Sequence, residues 1–426
     1  MRWPRLAAAV VAVFAVLVAP APAQAAACTT AAPAKAQVFK GTPFEDAVYA
    51  PTRLAPLATG KGIRVAVIDS GVDAGHPQLQ GQVLNGADFL RDDPNGKQDC
   101  VGHGTAVASL IAASPAADTG FQGLAPGARI VPIRISEQTE DIDGNAVGDR
   151  GSSAQFADAI DFAVRQAHVQ VINLSLVMTT DDPLVDAAVR RAIDAGVVVV
   201  AAAGNHGKDG DNIKTWPAAV PGVIAVAAVG QDGTRAPFSQ RGDFLAISAY
   251  GVNVTVANRG SGNVTDQGTS FSAPFVAATA ALLLERFPGI GPDAVLRRLE
   301  ATADPAPGGE REYGKGLLNP YRALTETLGP ATRAPVAPQV MHPNDPAAAA
   351  RADRREHSQQ LASWFAAGGA GLVVLLAAAA LIVRRGRGRG WRPADPPGAS
   401  RPVEPGGAPR AVDPGVALRP TDASRL

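Results

Sequence analysis

Residues 65–71 read Val65-Ala66-Val67-Ile68-Asp69-Ser70-Gly71, an apolar run that ends on a carboxylate and a turn. Short apolar runs bounded by turn residues are typical of strands buried on both faces of a parallel sheet. Comparable runs recur along the chain. The predicted strands are residues 63–68, 130–135, 169–174, 197–203 and 223–229.

Helical patterns lie between these strands. The apolar residues that fall on one helical face are Phe156, Ile160, Ala163, Val164 and Ala167. Asp182-Pro183 is typical of an N-cap followed by a first-turn proline, and Gly196 of a helix stop. Strands alternating with helices predict an α/β fold, with a doubly wound, mostly parallel sheet and helices on both faces. Such sheets bind ligands beyond the carboxyl ends of their strands.

Three polar side chains flank these elements in a pattern that predicts nucleophilic catalysis. Asp69 ends the first strand, His103 precedes an apolar helix in Gly-His-Gly-Thr, and Ser270 precedes another in Gly-Thr-Ser. A hydroxyl needs a base within hydrogen-bond reach, and imidazole titrates near neutrality, so His103 suits the exchange of the Ser270 proton. A carboxylate on the far ring nitrogen fixes the tautomer. The sequence therefore predicts the catalytic triad Asp69, His103 and Ser270.

Two other residues compete for the role of nucleophile. Ser272 lies a half-turn into the helix, whereas Ser270 begins it and presents its own N–H toward a developing oxyanion. Cys100, close to His103 in sequence, is the other alternative. The chain has two cysteines, Cys28 and Cys100, and in an exported protein an even pair predicts a disulfide. Such a bridge closes a loop of about 72 residues and contributes roughly 4 kcal/mol.

In chain order these residues read Asp, His, Ser, and with their neighbours they resemble the subtilases. The resemblance rests on Asp69-Ser70-Gly71, Gly102-His103-Gly104-Thr105 and Gly268-Thr269-Ser270-Phe271-Ser272-Ala273-Pro274, and it covers about residues 60–325. It implies a serine endopeptidase that attacks peptide bonds through Ser270 rather than Ser272. It also implies that Asn205, which follows the apolar run at residues 200–203, donates a hydrogen bond to the oxyanion.

The segment expected to pair with substrate departs from the family pattern. Subtilases usually read Ser-Leu-Gly-Gly there, and this chain reads Ser175-Leu176-Val177-Met178. The resemblance implies that the backbone of Ser175, Leu176 and Val177 pairs with an extended substrate. Bulky side chains where glycines are usual narrow the adjoining pockets, which predicts selective cleavage. Ala249-Tyr250-Gly251 replaces the usual Ala-Pro-Gly, a change that the sequence alone does not explain.

A polar loop over residues 136–151 raises the question of a metal site. Its acidic residues are Glu137, Glu140, Asp141, Asp143 and Asp149. Many subtilases bind calcium, but the spacing of these acids matches no calcium-loop pattern. The loop is therefore predicted to be a solvated surface insertion, and the reaction to need no metal or cofactor.

Residues 1–25 are predicted to be a signal peptide. Two arginines precede an apolar run over residues 6–18, and Ala23-Gln24-Ala25 offers a small-x-small cleavage site. A cut just before Cys28 fits equally well, although a lipoprotein site there lacks the leucine three residues earlier. An uncleaved anchor is a further alternative, but 13 apolar residues are too few to span a bilayer. A Pro/Ala-rich arm follows over residues 26–60.

The other end of the chain predicts a membrane anchor. After the peptidase domain, residues 61–330, and an Ala/Pro-rich linker, residues 331–362, come 20 uncharged residues from Trp364 to Val383. This length predicts a transmembrane helix at residues 363–383, with a buried core helix as the alternative. Residues 384–426 carry nine Arg and four acids, so the positive-inside rule predicts a cytoplasmic tail and an extracytoplasmic peptidase domain. Their Pro/Gly/Arg-rich composition predicts disorder.

The combined features narrow the resemblance and suggest partners. A signal peptide, an arm with Cys28, Asp99-Cys100 before His103 and one C-terminal span are similar to the mycosins, membrane-anchored subtilases of actinobacterial type VII secretion systems. That resemblance implies a type VII membrane complex as partner and an arm that stays on the catalytic domain, although the second cysteine pair of many mycosins is missing. The 39 basic residues balance 39 acidic ones, which argues against nucleic acid.

Two hypotheses about function follow from these features. In the first, the protein is a working endopeptidase in the cell membrane that cuts a few exported proteins. In the second, it is chiefly a structural subunit that stabilises a secretion complex, with proteolysis secondary. The complete triad and Asn205 favour the first hypothesis.

Overall fold

The structure is a computed structural model that describes residues 36–91, 95–140, 146–207 and 214–329. The helices are Phe44–Tyr49 (α1), Pro51–Leu54 (α2), His103–Ala112 (α3), Ser153–Arg165 (α4), Pro183–Asp194 (α5), Thr269–Arg286 (α6), Pro292–Ala301 (α7), Glu310–Tyr313 (α8) and Pro320–Thr325 (α9). The strands are Arg64–Asp69 (β1), Ala87–Asp88 (β2), Arg129–Arg134 (β3), Thr139–Glu140 (β4), Ala146–Val147 (β5), Val171–Leu174 (β6), Val198–Ala202 (β7), Ile224–Val229 (β8), Ile247–Tyr250 (β9), Val254–Ala257 (β10) and Asn263–Asp266 (β11).

A parallel sheet organises this part of the chain. Its strand order is β2-β3-β1-β6-β7-β8-β9, and every adjacent pair runs parallel. β3 lies next to β1 on one side, and β6 lies next to β1 on the other side. The direction in which successive strands are added to the sheet therefore reverses at β1. Doubly wound sheets form ligand crevices at such a reversal, beyond the carboxyl ends of the strands. The predicted α/β fold with a mostly parallel sheet is confirmed.

The two faces of the sheet carry separate apolar cores. Alternate residues of β1 point to opposite faces, so Val65 and Val67 join one core while Ala66 and Ile68 join the other. The first core lies against α3 and α6, and the second against α4 and α5. Because both faces are covered, the central strands contain almost no polar residues.

The helix boundaries follow the signals in the sequence. Asp182 caps α5, with its side chain accepting from the Leu184 N–H at 2.9 Å, and Gly196 past the end has φ 86°. Ser152 and Gln155 form a capping box at the start of α4. The five predicted strands are present within one or two residues of their predicted ends.

Several shorter strands were not predicted. β9 extends the parallel sheet, and β10 pairs antiparallel with β11 in a separate hairpin. These strands have four residues each, and in β11 only the first residue is buried. Short strands without a long apolar run give little periodic signal in the sequence.

The described part of the N-terminal arm lies on the peptidase domain. The backbone N–H groups of residues 59–61 all donate to the carboxylate of Glu285 in α6. Glu45 in α1 is fully buried and accepts from the Thr255 N–H at 2.7 Å. The ring of Tyr49 lies 4.9 Å from that of Phe275. Polar and aromatic contacts therefore both hold the arm in place.

Other predicted segments lie outside the described residues. They are the signal peptide, Cys28, the linker at residues 331–362, the transmembrane helix at residues 363–383 and the tail at residues 384–426. Within residues 36–329, apart from the short undescribed gaps, none of the helices has both the length and the apolar character needed to cross a membrane.

Candidate active site

The carboxylate of Asp69 and the imidazole of His103 are in direct contact. Asp69 ends β1 and His103 begins α3, and Oδ1 of the acid lies 2.7 Å from Nδ1 of the ring. A carboxylate can only accept, so Nδ1 carries the proton and Nε2 is left as the basic nitrogen. The Asp69 side chain is 2% exposed and the His103 side chain 28%. The acid is thus shielded from solvent, while the base remains accessible.

A close approach of backbone makes this contact feasible. At Gly104, in the first turn of α3, a Cβ atom would lie only 2.0 Å from the carbonyl oxygen of Gly71. A side chain at residue 104 would therefore push α3 away from the end of β1, and His103 with it. This steric limit explains why a glycine follows the histidine in the motif.

Asp99 organises the turn that carries His103. Its carboxylate is buried and accepts from the N–H groups of Val101 and Gly102 and from the N–H and hydroxyl of Thr105. It also accepts from the hydroxyl of Ser70, the residue that follows Asp69, at 2.9 Å. Sequence reasoning had assigned Asp99 no such role, although its position four residues before the histidine was a visible signal. Asp99 is a positioning residue for the imidazole.

The electrostatic surroundings favour the protonated form of His103. Burial alone would lower its pKa, but the charge and hydrogen bond of Asp69 act in the opposite direction, with further charge from Asp99 and Asp266. Together these groups raise the pKa of His103 to about 9. A neutral imidazole, the form that can accept a proton, is consequently favoured at alkaline pH.

Ser270 lies in the first turn of α6, where backbone N–H groups have no partner inside the helix. Its hydroxyl donates to the Ser175 carbonyl at 3.1 Å, and the Ser175 hydroxyl donates to the Ser270 carbonyl at 2.9 Å. The adjacent ring of Phe271 lies 5.3 Å from the His103 ring. The structure therefore brings the start of α6 to the imidazole, with the Ser270 hydroxyl turned toward Ser175.

The rival hydroxyl of Ser272 is inaccessible. Its side chain is fully buried, and a Cβ atom at Gly251 would lie 2.1 Å from its Oγ. The neighbouring Tyr250 contacts the N-terminal arm, with its ring 5.3 Å from the rings of Phe44 and Tyr49. This contact explains the tyrosine in Ala249-Tyr250-Gly251 that the sequence left unexplained.

The carboxamide of Asn205 is fixed at one end. Its Oδ1 accepts from the backbone N–H and from the hydroxyl of Thr269, both at 2.9 Å. Since a backbone N–H can only donate, the oxygen must face Thr269 and the Nδ2 donor must point the other way. That Nδ2 lies beside Gly268, the residue before α6, where a Cβ atom would be 3.3 Å away. Asn205 is exposed, so this donor can reach a ligand in the crevice.

Residues 175–178 continue the chain from β6 and border the crevice. Met178 pairs with Trp216 through both of its backbone groups. Peptide groups alternate in direction along an extended chain, so the carbonyls of Ser175 and Val177 face the opposite edge. Ser175 holds the Ser270 hydroxyl at that edge. Leu176 packs against the second core and Val177 against the first.

The remaining predicted site residues have structural partners. Cys100 is disulfide-bonded, which removes it as a nucleophile, and its pairing with Cys28 stays a prediction because Cys28 is not described. Glu137, which the sequence placed in a solvated loop, is instead buried and pairs with Arg91 and with the buried Arg134. Among the residues that the structure describes, no group of three or more His, Cys, Asp or Glu side chains is arranged to hold a metal ion.

Comparison with known proteins identifies the family. Residues 60–316 match the model of the subtilase family of peptidases. The chain therefore belongs to the subtilase family. It is a subtilisin-like serine endopeptidase, a hydrolase of peptide bonds.

Individual relatives narrow the class further. A thermostable alkaline protease of Halalkalibacterium halodurans is 39% identical over 264 residues, which are 62% of this chain and 68% of that protein. Mycosin-1 of Mycobacterium tuberculosis is 34% identical over 343 residues, 68% of this chain and 76% of that protein. The solved structure of MycP1, described as a serine protease and essential component of the type VII (ESX-1) secretion system, gives a TM-score of 0.60 at 32% identity. It covers 69% of this chain and 92% of its own. This chain is a mycosin-type subtilisin-like protease.

Proposed function

We propose that the protein hydrolyses peptide bonds with the triad Asp69, His103 and Ser270, and that it does so selectively, in association with type VII protein secretion. The observation that carries the proposal is the 2.7 Å contact between Asp69 and His103, at the crevice that also holds the first turn of α6 with Ser270. The similarity to Mycosin-1 and to the MycP1 structure supports the association with secretion.

The reaction begins when the Ser270 hydroxyl leaves the Ser175 carbonyl and turns to Nε2 of His103. Nε2 takes the proton as Oγ attacks the substrate carbonyl, and Asp69 stabilises the imidazolium through Nδ1. The oxyanion is met by the Ser270 N–H and by Nδ2 of Asn205. The imidazolium then returns its proton to the leaving amine. A water molecule then gives a proton to the same nitrogen as it attacks the acyl carbonyl. The imidazolium returns that proton to Oγ of Ser270 as the C–Oγ bond breaks and the new carboxylic acid leaves.

Substrate pairs as an extended strand with the edge of Ser175, Leu176 and Val177 that faces away from Trp216. The Val177 side chain, where a glycine would leave open space, packs toward Gly204, with a Cβ there 3.5 Å from its Cγ1. This side chain reduces the room beside the substrate and supports selective cleavage. The chemistry uses only protein side chains and water, and we propose no resident cofactor or metal.

We further propose that the peptidase domain is exported, closed onto its arm by a Cys28–Cys100 disulfide, and anchored by a single helix at residues 363–383. In this topology the tail is cytoplasmic and the active site lies outside the cell membrane, near secretion components. Truncation after residue 330 is expected to release the peptidase domain from the membrane fraction. Retention of the truncated protein in the membrane would contradict the predicted anchor.

A serine-reactive probe tests the catalytic proposal. A fluorophosphonate should label the full-length protein and should fail to label the Ser270→Ala variant. The matched control is Ser272→Ala, two residues along the same helix, which should still be labelled because that hydroxyl is fully buried. If Ser272→Ala were not labelled while Ser270→Ala still was, Ser272 rather than Ser270 would be the nucleophile.

Secretion separates proteolysis from a structural role. The Ser270→Ala strain should accumulate exported proteins with uncut termini, which mass spectrometry of the culture medium would identify. If Ser270→Ala secretes and processes proteins like the wild type while deletion of the whole protein stops secretion, the structural role is the principal one.

A further inference from the structure

The segment at residues 149–151, which carries Arg150, contacts the segment at residues 175–177 where substrate is proposed to bind. Residues 149–151 pair with residues 135–137, since the Gly151 N–H donates to the Ile135 carbonyl and the Glu137 N–H to the Asp149 carbonyl. The backbone groups of Arg150 therefore point away from that partner. Its guanidinium Nη2 donates to the Val177 carbonyl at 3.2 Å. Arg150 thus links this segment to the one that carries Ser175.

The acceptor that Arg150 occupies is one that a substrate would need. The carbonyls of Ser175 and Val177 face the same edge, and Ser175 already holds the Ser270 hydroxyl there. An extended peptide with its scissile bond at Ser270 would place a backbone N–H near each of these carbonyls, two residues apart. The Val177 carbonyl can accept two hydrogen bonds, so the guanidinium competes with the substrate N–H for space at this acceptor.

Arg150 differs from the other arginines near this loop in its partners. Arg91 and Arg134 both pair with Glu137, and the hydrogen bond from Arg91 to Glu137 raises the pKa of Arg91. Arg150 is exposed, although the surrounding protein partly desolvates its guanidinium and lowers its pKa, and no carboxylate in the described parts of the chain forms an ion pair with it. A guanidinium bonded to one neutral carbonyl gains more from a carboxylate, which it can bind through two parallel hydrogen bonds.

A small cavity next to Arg150 adds a shape requirement. Its volume is about 230 Å³, and its wall is mixed. The apolar residues Ile135, Phe156 and Leu176 line it together with the hydroxyl residues Ser152, Ser153, Thr179 and Thr180. Arg150 contributes to the same wall. The cavity suits one side chain with an apolar stem and a charged end, and the charge that Arg150 would bind is negative.

We propose that Arg150 gates the substrate edge and selects peptides that carry an acidic side chain, glutamate above all, close to the scissile bond. On binding, the hydrogen bond between Arg150 and the Val177 carbonyl is exchanged for one from the substrate N–H, and the guanidinium donates instead to the substrate carboxylate. This inference rests on the proposed function, because it assumes that the peptide lies along residues 175–177 with its scissile bond at Ser270.

The test is a set of fluorogenic octapeptides that differ only in carrying Glu, Gln or Lys at each position within four residues of the scissile bond. The full-length wild type should cleave the Glu peptide with a kcat/KM about ten-fold above the Gln peptide at one position, as a charge-assisted pair implies. Arg150→Gln should lose that preference and cleave the Gln peptide faster than wild type does, because the guanidinium no longer competes for the Val177 carbonyl. Arg150→Glu should prefer Lys. Arg190→Gln, an exposed arginine on α5, is the matched control and should behave as wild type.

Labelling of Ser270 by a fluorophosphonate in every variant separates the two proposals. If all variants are labelled and Arg150→Gln keeps the wild-type ratio of Glu to Gln cleavage, the role of Arg150 is wrong and the catalytic proposal stands. If the wild type is neither labelled nor active on any peptide, the catalytic proposal fails and the role of Arg150 fails with it.

Discussion

The two sides of the active site are held by different kinds of contact. On the carboxylate side, Asp69 and His103 are already joined, and Asp99 fixes the turn between them with buried hydrogen bonds. On the serine side, the Ser270 hydroxyl donates to a backbone carbonyl, and Asn205 is oriented by neutral groups of Thr269. Contacts of charged groups therefore dominate the first side, and hydrogen bonds between neutral groups dominate the second.

This difference separates the functions of the two sides. The carboxylates raise the pKa of His103 and therefore set, in the proposed mechanism, the pH at which the base is available. In the proposed mechanism, the serine side sets the positions of the Ser270 nucleophile and of the oxyanion donors, without altering charge. Changes on the carboxylate side should therefore move the pH profile, whereas changes on the serine side should lower kcat and leave that profile in place.

The largest effect is expected for Ser270→Ala on the serine side. Loss of the nucleophile should lower kcat/KM for a cleavable peptide by at least about 10⁴-fold. Thermal unfolding should change little, because the backbone hydrogen bond from the Ser175 hydroxyl to residue 270 remains. Peptide hydrolysis and circular dichroism on the same preparation measure both. A loss of less than about ten-fold would show that another group attacks.

Asp69→Asn should have the next largest effect and should act on both rate and pH. The amide keeps the shape but does not enforce the productive tautomer of His103, so kcat should fall by roughly 10³- to 10⁴-fold. The lost negative charge also removes the main cause that raises the pKa of His103. Since the neutral imidazole is the base, the residual activity should begin to rise at lower pH than in wild type. An unchanged midpoint would mean that Asp69 does not set the protonation of His103.

The sequence predicted the parts of the site that lie at element boundaries. Asp69 ends a buried strand, and His103 and Ser270 begin apolar helices beside glycines, so each was visible from its local context. The same local signals located the five long strands of the sheet. The predicted role of Asn205 depended on family resemblance, because an isolated asparagine after a strand is most often a turn residue.

Contacts between residues far apart in the chain were not predictable in this way. Tyr250 meets Phe44 and Tyr49 across some 200 positions, and Arg150 meets Val177 across two loops. Asp99 makes its bonds to nearby backbone, yet the geometry of that turn depends on how α3 approaches β1. Packing in three dimensions determines such contacts, and no periodicity in the sequence records them.

Asn205→Ala tests the serine side without removing the nucleophile. Loss of the Nδ2 donor should lower kcat by about 10²- to 10³-fold, with a small change in KM, since the oxyanion forms only in the transition state. No charge is removed, so the pH midpoint should coincide with that of wild type. Steady-state kinetics across a pH series would measure both. A rise in KM with unchanged kcat would assign Asn205 to ground-state binding instead.

Asp266→Asn is expected to have the smallest effect, and it isolates charge from geometry. Asp266 is exposed at the end of β11 and raises the pKa of His103 through its charge alone. Because activity requires the neutral base, removing this charge should move the acid limb of kcat/KM to lower pH while the plateau stays unchanged. High salt should diminish the difference, since screening acts on exposed charges. Asp232→Asn, an exposed aspartate that does not influence His103, is the matched control. If Asp266→Asn lowered the plateau of kcat/KM but left the pH midpoint in place, Asp266 would belong with the groups that position substrate. The division between a charge side and a geometry side would then fail at this residue.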